Sequence, residues 1–263
     1  MGSTVARGSL SLGVWALPSG SIAETGQNSV RTRFATLRYS RLGAELLRDV
    51  GERVDRGVEK VCGYLHATPP ERLEVRLSDR PGIPVAHRDT GTIVIPTERL
   101  PDRAAIVHEL THIIAGPSKD DRGILDEGLA VYLQEKFGGP HDRSFPTGGR
   151  DLHEETVRLM AQCAGTVPLA GTARLRQRTR RGLLRTLAYL QEGSFTRLLV
   201  ERFGLEPVML VHRGEAAWLD AFGLTAEALE DLWLAQLSCI RDRMLPDGAA
   251  TDDGRDANKL RGP

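Results

Sequence analysis

The chain has 263 residues, enough for one large domain or two closely joined subdomains around a core. Its 35 Lys and Arg are matched by 35 Asp and Glu, so no net field draws it toward nucleic acid or an anionic membrane. No segment approaches the ~20 apolar residues of a membrane-spanning helix. The three cysteines, Cys62, Cys163 and Cys239, form no CxxC pair and suit a reducing compartment as free thiols.

Residues 1–30 are rich in Ser, Gly and Thr and carry no period, so they read as a flexible arm. Arg7, the apolar run Leu10 to Leu17 and Ser21-Ile22-Ala23 have the order of an export signal. The run is short and broken by Ser11 and Gly13, and a cytoplasmic location is expected instead. Phe34 to Tyr39 alternates like a half-buried strand. From Leu42 to Leu65, apolar residues recur at steps of three and four, which predicts a long amphipathic helix. It stops before Thr68-Pro69-Pro70. Leu73, Val75 and Leu77 mark a second strand. Ile83 to Ala86 and Thr92 to Ile95 predict short strands around the loop His87-Arg88-Asp89-Thr90-Gly91.

Pro101 and Asp102 open a helix whose apolar side is Ile106, Val107, Leu110, Ile113 and Ile114; Gly116-Pro117 ends it. The second half is predicted mostly helical, over Leu125 to Phe137, Leu152 to Cys163, Leu183 to Phe203, Pro207 to His212 and Ala226 to Met244. The arginines at 174, 176, 178, 180 and 181 fall between these segments and read as a solvated loop. Residues 246–263 have almost no apolar content and read as a disordered tail.

The chemistry concentrates in His108-Glu109-Leu110-Thr111-His112. On a helix of 3.6 residues per turn, the two histidines project from one face and can share one ion. Zinc lowers the pKa of a coordinated water from about 16 toward about 7, and the adjacent Glu109 can take its proton as the water attacks a carbonyl. A structural zinc would use four protein ligands, commonly with cysteine, and none lies nearby. Downstream, Leu125-Asp126-Glu127-Gly128-Leu129-Ala130-Val131-Tyr132 predicts a second helix, with Glu127 fifteen residues after His112. A reversal through Gly116-Pro117 and Asp120-Asp121 can bring the helices together, and the small Gly128 and Ala130 permit close approach. His108, His112 and Glu127 would then leave a fourth position open for water.

HExxH followed by Leu-x-Glu-Gly-x-Ala-x-Tyr resembles the gluzincin zinc metallopeptidases. The compact peptidase MA-like domains are nearest, and aminopeptidase N-like enzymes are more distant. The likeness extends over roughly residues 31–240. It takes in Tyr189 to Gly204, and Trp218, Phe222-Gly223-Leu224-Thr225 and Leu232-Trp233. It implies zinc ligation by His108, His112 and Glu127, and Glu109 as general base. It further implies an α+β, zincin-like fold, with an N-terminal subdomain over 31–118 and a helical subdomain over 119–245. No Gly-Ala-Met-Glu-Asn-like segment for a substrate amine is present, and Val131 stands where thermolysin-like enzymes carry an aspartate.

The expected activity is zinc-dependent hydrolysis of a peptide or peptide-like substrate. The alternatives are a dedicated biosynthetic zincin acting on one small molecule or peptide, and a non-catalytic zincin-fold binding protein. Tyr189 is the first candidate to stabilise the oxyanion. Tyr132 reads as helix packing, His141 and His212 as ordinary histidines, and His153-Glu154-Glu155 as a charged first turn. Strand Thr92–Ile95 is expected to border the cleft and pair with an extended substrate.

Overall fold

The computed structural model describes residues 28–138, 146–179 and 182–244. The expectations for most of the arm (1–27), for the tail (246–263) and for His141 lie outside them.

The alternating segments form β1 (Asn28–Arg31), β2 (Thr36–Tyr39), β3 (Glu74–Ser78), β4 (Val85–His87) and β5 (Thr92–Pro96). They make one sheet in the order β1-β2-β3-β5-β4. β2, β3 and β5 run parallel at its centre, while β1 and β4 pair antiparallel at its ends. The long helix α1 (Ala44–Leu65) connects β2 to β3, as a parallel crossover requires. Its apolar stripe, Leu47, Val50, Val54 and Val58, packs on Leu37, Val75, Leu77, Ile93 and Ile95 of the sheet. The same core takes in Ile106 and Leu110 of α2 (Arg103–Ala115). Gly57 lets α1 and α2 close up: a Cβ there would lie 2.6 Å from Leu110 Cδ1.

Two expectations change here. Residues 28–30, read as part of the arm, belong to β1, where Val30 pairs with Leu37. The strand at Thr92–Ile95 has no open edge, because the hairpin through Gly91 (φ +62°) folds β4 onto it, pairing Ala86 with Ile93. β4 is therefore the edge strand on that side.

The second half is helical: α3 (Leu125–Gly138), α4 (Leu152–Gln162), α5 (Leu169–Arg178), α6 (Leu183–Phe203), α7 (Leu205–Arg213), α8 (Trp218–Phe222) and α9 (Ala226–Met244). Phe195, Trp218, Phe222 and Trp233 centre its core. α3 lies against α2 on one side and α6 on the other. The approach to α6 is close, since a Cβ on Gly128 would lie 2.7 Å from Glu192 O. The small residue on the Glu127 helix thus serves contact with α6. The arginine run is no loop over its first part: α5 carries Arg174, Arg176 and Arg178, while Arg180 and Arg181 lie outside the described residues. Cys62 is buried and Cys239 exposed, and no cysteine is in a disulfide. Among the described residues, no helix is long and apolar enough to cross a membrane.

Candidate metal centre

α2 begins at Asp102, whose carboxylate accepts from Ala105 N at 3.2 Å and caps an otherwise unpaired first turn. The four-residue spacing then brings the His108 and His112 rings to 4.9 Å between centroids, with their Nε2 atoms 3.2 Å apart. After Gly116 (φ +74°) the chain reverses through a turn built on Asp120. That carboxylate accepts from Arg122 N, Ile124 N and Leu125 N at 3.1 Å each and so caps the start of α3. Glu127, in the first turn of α3, now faces both histidines. Its Oε2 lies 3.2 Å from His108 Nε2 and 3.5 Å from His112 Nε2.

The three atoms lie within 4.8 Å of one another, and all can present lone pairs to one point. Glu127 Oε2 is buried with no hydrogen-bond donor. A tetrahedral zinc with bonds of about 2.0–2.2 Å to nitrogen and oxygen holds its ligand atoms about 3.3–3.5 Å apart. The observed edges of 3.2, 3.2 and 3.5 Å fit that ion with a fourth position to spare. Burial pushes the Glu127 carboxyl up, but the two imidazoles outweigh it and hold it well below the usual carboxylate range.

Glu109 is buried beside His108, and among the described residues its carboxylate has no hydrogen-bond or ion-pair partner. It lines a cavity of about 490 Å³ with His108, Tyr189, Arg185, Gln134 and Ile83.

Tyr189, on α6, reaches this cavity. Its ring centroid lies 6.5 Å from that of His108, and Arg185 Nη2 donates to its hydroxyl at 2.9 Å. Burial pushes its pKa up to about 12, so it remains a neutral phenol and a hydrogen-bond donor at neutral pH.

The groups that orient the ligands come from segments carrying no motif. Arg88, from the loop between β4 and β5, donates from Nε to His112 O at 3.0 Å and from Nη2 to Asp126 Oδ1 at 2.6 Å. The same Nη2 is 2.6 Å from His112 Nδ1, which suits the tautomer protonated on Nε2. Ligation through Nε2 requires the other tautomer, with Nδ1–H turned toward Asp126 Oδ1, 3.8 Å away. Burial would lower the His112 pKa, yet Asp126 and Glu127 outweigh it and raise it to about 10 without metal. On the other flank, Arg176 Nη1 donates to Glu127 Oε1 at 3.1 Å. His108 Nδ1 is buried and has no partner among the described residues.

The remaining candidates sit elsewhere. Tyr132 packs between α1 and α3 with its hydroxyl 2.9 Å from that of Tyr64. His212 is buried on α7, outside the cavity lining, and burial lowers its pKa. His153-Glu154-Glu155 forms the charged first turn of α4 as expected, with the His153 side chain turned inward. It is buried, with Nδ1 2.7 Å from Ser194 Oγ, which also accepts from Trp233 Nε1 at 2.9 Å. Two residues after the Asp151 cap, His153 faces α6, and the charged look of its neighbours hid that side.

No family model matches the chain, and no curated protein matches it. Among solved structures it is similar to a two-domain M1 zinc metallopeptidase variant bound to L-arginine. That match has 18% identity and a TM-score of 0.41, covering 82% of this chain and 49% of that one. A form bound to L-tryptophan matches at 16% identity and a TM-score of 0.43, covering 78% and 50%. The chain spans about half the length of each.

Proposed function

We propose that this chain is a zinc-dependent hydrolase that cleaves a peptide or amide bond, on an α+β fold of zincin type. In this reading the site lies between an N-terminal half, residues 31–118, and a helical half, 119–245. One observation carries it. Three lone-pair donors meet at zinc-like spacing, and Glu109 lines the cavity that one of them, His108, also lines.

His108, His112 and Glu127 would hold the ion. Zinc in that position supplies a Lewis acid that polarises a carbonyl and lowers the pKa of water toward about 7. Glu109 accepts the proton that water loses on attacking the carbonyl carbon, and returns it to the leaving nitrogen as the C–N bond breaks. The Tyr189 O–H, oriented by Arg185, donates to the carbonyl oxygen as negative charge develops on it. A substrate can lie extended along the edge of β4, because Ile83, which leads into that strand, is 64% exposed and lines the cavity. The exposed isoleucine favours an apolar side chain beside the scissile bond.

Glu109→Gln is the test. Bound zinc, measured by elemental analysis, is expected to stay at the parent level, while cleavage of a mixed fluorogenic peptide pool falls roughly 10²–10⁴-fold. Parent-like cleavage by the variant, or a parent protein that takes up no zinc, would sink the reading.

A further inference from the structure

Glu127 and Glu192 stand side by side because α3 and α6 pack at the backbone contact through Gly128. Glu192 is fully buried and the Glu127 side chain is 16% exposed. Two carboxylates so placed need a cation between them. Arg176 of α5 supplies it. Its side chain is 13% exposed, and its planar fork divides its donors. Nη1 goes to Glu127 Oε1 at 3.1 Å, while Nε stands 3.0 and 2.9 Å from the two oxygens of Glu192. Nη2 donates to Gly123 O at 3.5 Å, and the guanidinium carbon lies 5.4 Å from the Tyr189 ring centroid. Glu127 Oε1 is thereby occupied, and Oε2, which no donor reaches, is the oxygen turned to the histidines.

We propose that Arg176 is a positioning residue: anchored on Glu192, it holds Glu127 Oε1 so that Oε2 alone is presented to the metal. This rests on the zinc reading above. A purely structural role would differ in one respect. If Arg176 served only to neutralise Glu192, removing both charges together would leave the metal site unchanged. If it orients Glu127, the same double change costs metal affinity even though removing one cation and one carboxylate leaves the net charge of the pocket unchanged.

The experiment is zinc affinity of the full chain, by competition with a chromogenic chelator, in parent and in Arg176→Gln/Glu192→Gln. Melting of the metal-free proteins establishes that both are folded. The double variant is expected to bind zinc about 10- to 100-fold more weakly, the range for loss of a group that orients a ligand. Should it fail to fold, Arg176→Lys carries the test. It keeps the charge but lacks the fork, and it is expected to lose zinc affinity by about tenfold. Parent-like affinity in whichever of these variants folds overturns the proposal and leaves the zinc site standing. A parent that binds no zinc overturns both.

Discussion

Arg88 and Arg176 flank the His108–His112–Glu127 cluster from opposite sides, and their surroundings differ. Arg88 comes from a loop, and its contact with Asp126 is open to water, with side chains 30% and 28% exposed. It also donates to His112 O, one of the last four carbonyls of α2, which have no partner inside the helix. Arg176 comes from a helix and is closed in by Glu192 and Glu127. A water-reached pair is screened and adjustable, whereas a buried fork holds one geometry and is costly to leave half-paired. The Arg88 flank therefore secures the end of a helix, and the Arg176 flank fixes a single oxygen and the tyrosine beside it.

Tyr189 carries the largest expected effect on the Arg176 flank. Its ring lies within 5.4 Å of the Arg176 guanidinium carbon, and Arg185 holds its hydroxyl. Tyr189→Phe keeps the ring and removes the donor, so kcat is expected to fall about 10²–10³-fold with zinc affinity unchanged. Steady-state kinetics beside a zinc titration separate the two. Unchanged kcat would make Tyr189 a packing residue and leave this flank a purely metal-orienting one.

On the Arg88 flank the matching change is Asp126→Asn, which keeps one carbonyl oxygen but removes the carboxylate charge that faces Arg88 and, at 3.8 Å, His112 Nδ1. Zinc affinity is expected to drop about 10- to 100-fold. The metal-free protein adds a pH signature. Burial pushes the Asp126 carboxyl up, but His112 and Arg88 outweigh it and hold it at about 2. A depressed carboxylate stabilises the fold above its unfolded pKa of about 3.9 and loses that contribution as pH falls through its folded value. The stability gap between parent and Asp126→Asn, measured by urea unfolding, is thus expected to be full at pH 7 and visibly smaller at pH 3. A gap that does not narrow means that the Asp126 charge does not stabilise the fold.

The two flanks also differ in how far the sequence exposes them. His108 and His112 are legible because a four-residue step on a helix puts them on one face, and Glu127 because a small-residue helix follows a turn. α1 and the inner strands announce themselves by apolar periods of 3.6 and 2. Arg88 and Arg176 leave no such trace. A buried ion pair replaces the apolar residues that would have revealed its helix, so α5, whose inward face carries Thr172 and Arg176, reads as a charged loop. The open edge is misassigned for a related reason. Val85 to His87 is too short to outweigh the stronger pattern at Thr92–Pro96, and only the hairpin at Gly91 shows which strand lies outside.

Helix packing behind each flank gives a smaller contrast. A methyl at Gly128 meets the backbone oxygen of Glu192 at 2.7 Å, and backbone in the α3–α6 contact cannot move alone. A methyl at Gly57 meets only the end of the Leu110 side chain, at 2.6 Å, which can turn aside. Gly128→Ala is expected to cost about 1–3 kcal/mol and to weaken zinc binding by displacing Glu127. Gly57→Ala is expected to be near neutral, since alanine favours a helix by up to about 1 kcal/mol over glycine. Thermal melts of both metal-free proteins check the pair, and equal losses would remove the distinction between the two contacts.

The smallest effect belongs to the other tyrosine, Tyr132. It lies five residues past Glu127 on the same helix, yet it turns to α1, where its hydroxyl meets that of Tyr64 at 2.9 Å and its ring packs with Leu65, Val107 and Met209. Burial and the Tyr64 hydroxyl raise its pKa, so like Tyr189 it is a neutral phenol. The two tyrosines thus share their ionisation state and differ in what their hydroxyls face. Tyr132→Phe removes one hydrogen bond, worth about 0.5–1.5 kcal/mol of stability, and leaves kcat and zinc affinity at parent values. A kcat loss approaching that of Tyr189→Phe would mean that α3 transmits the Tyr64–Tyr132 contact to Glu127, and the Arg176 fork would then be one of two restraints on that ligand.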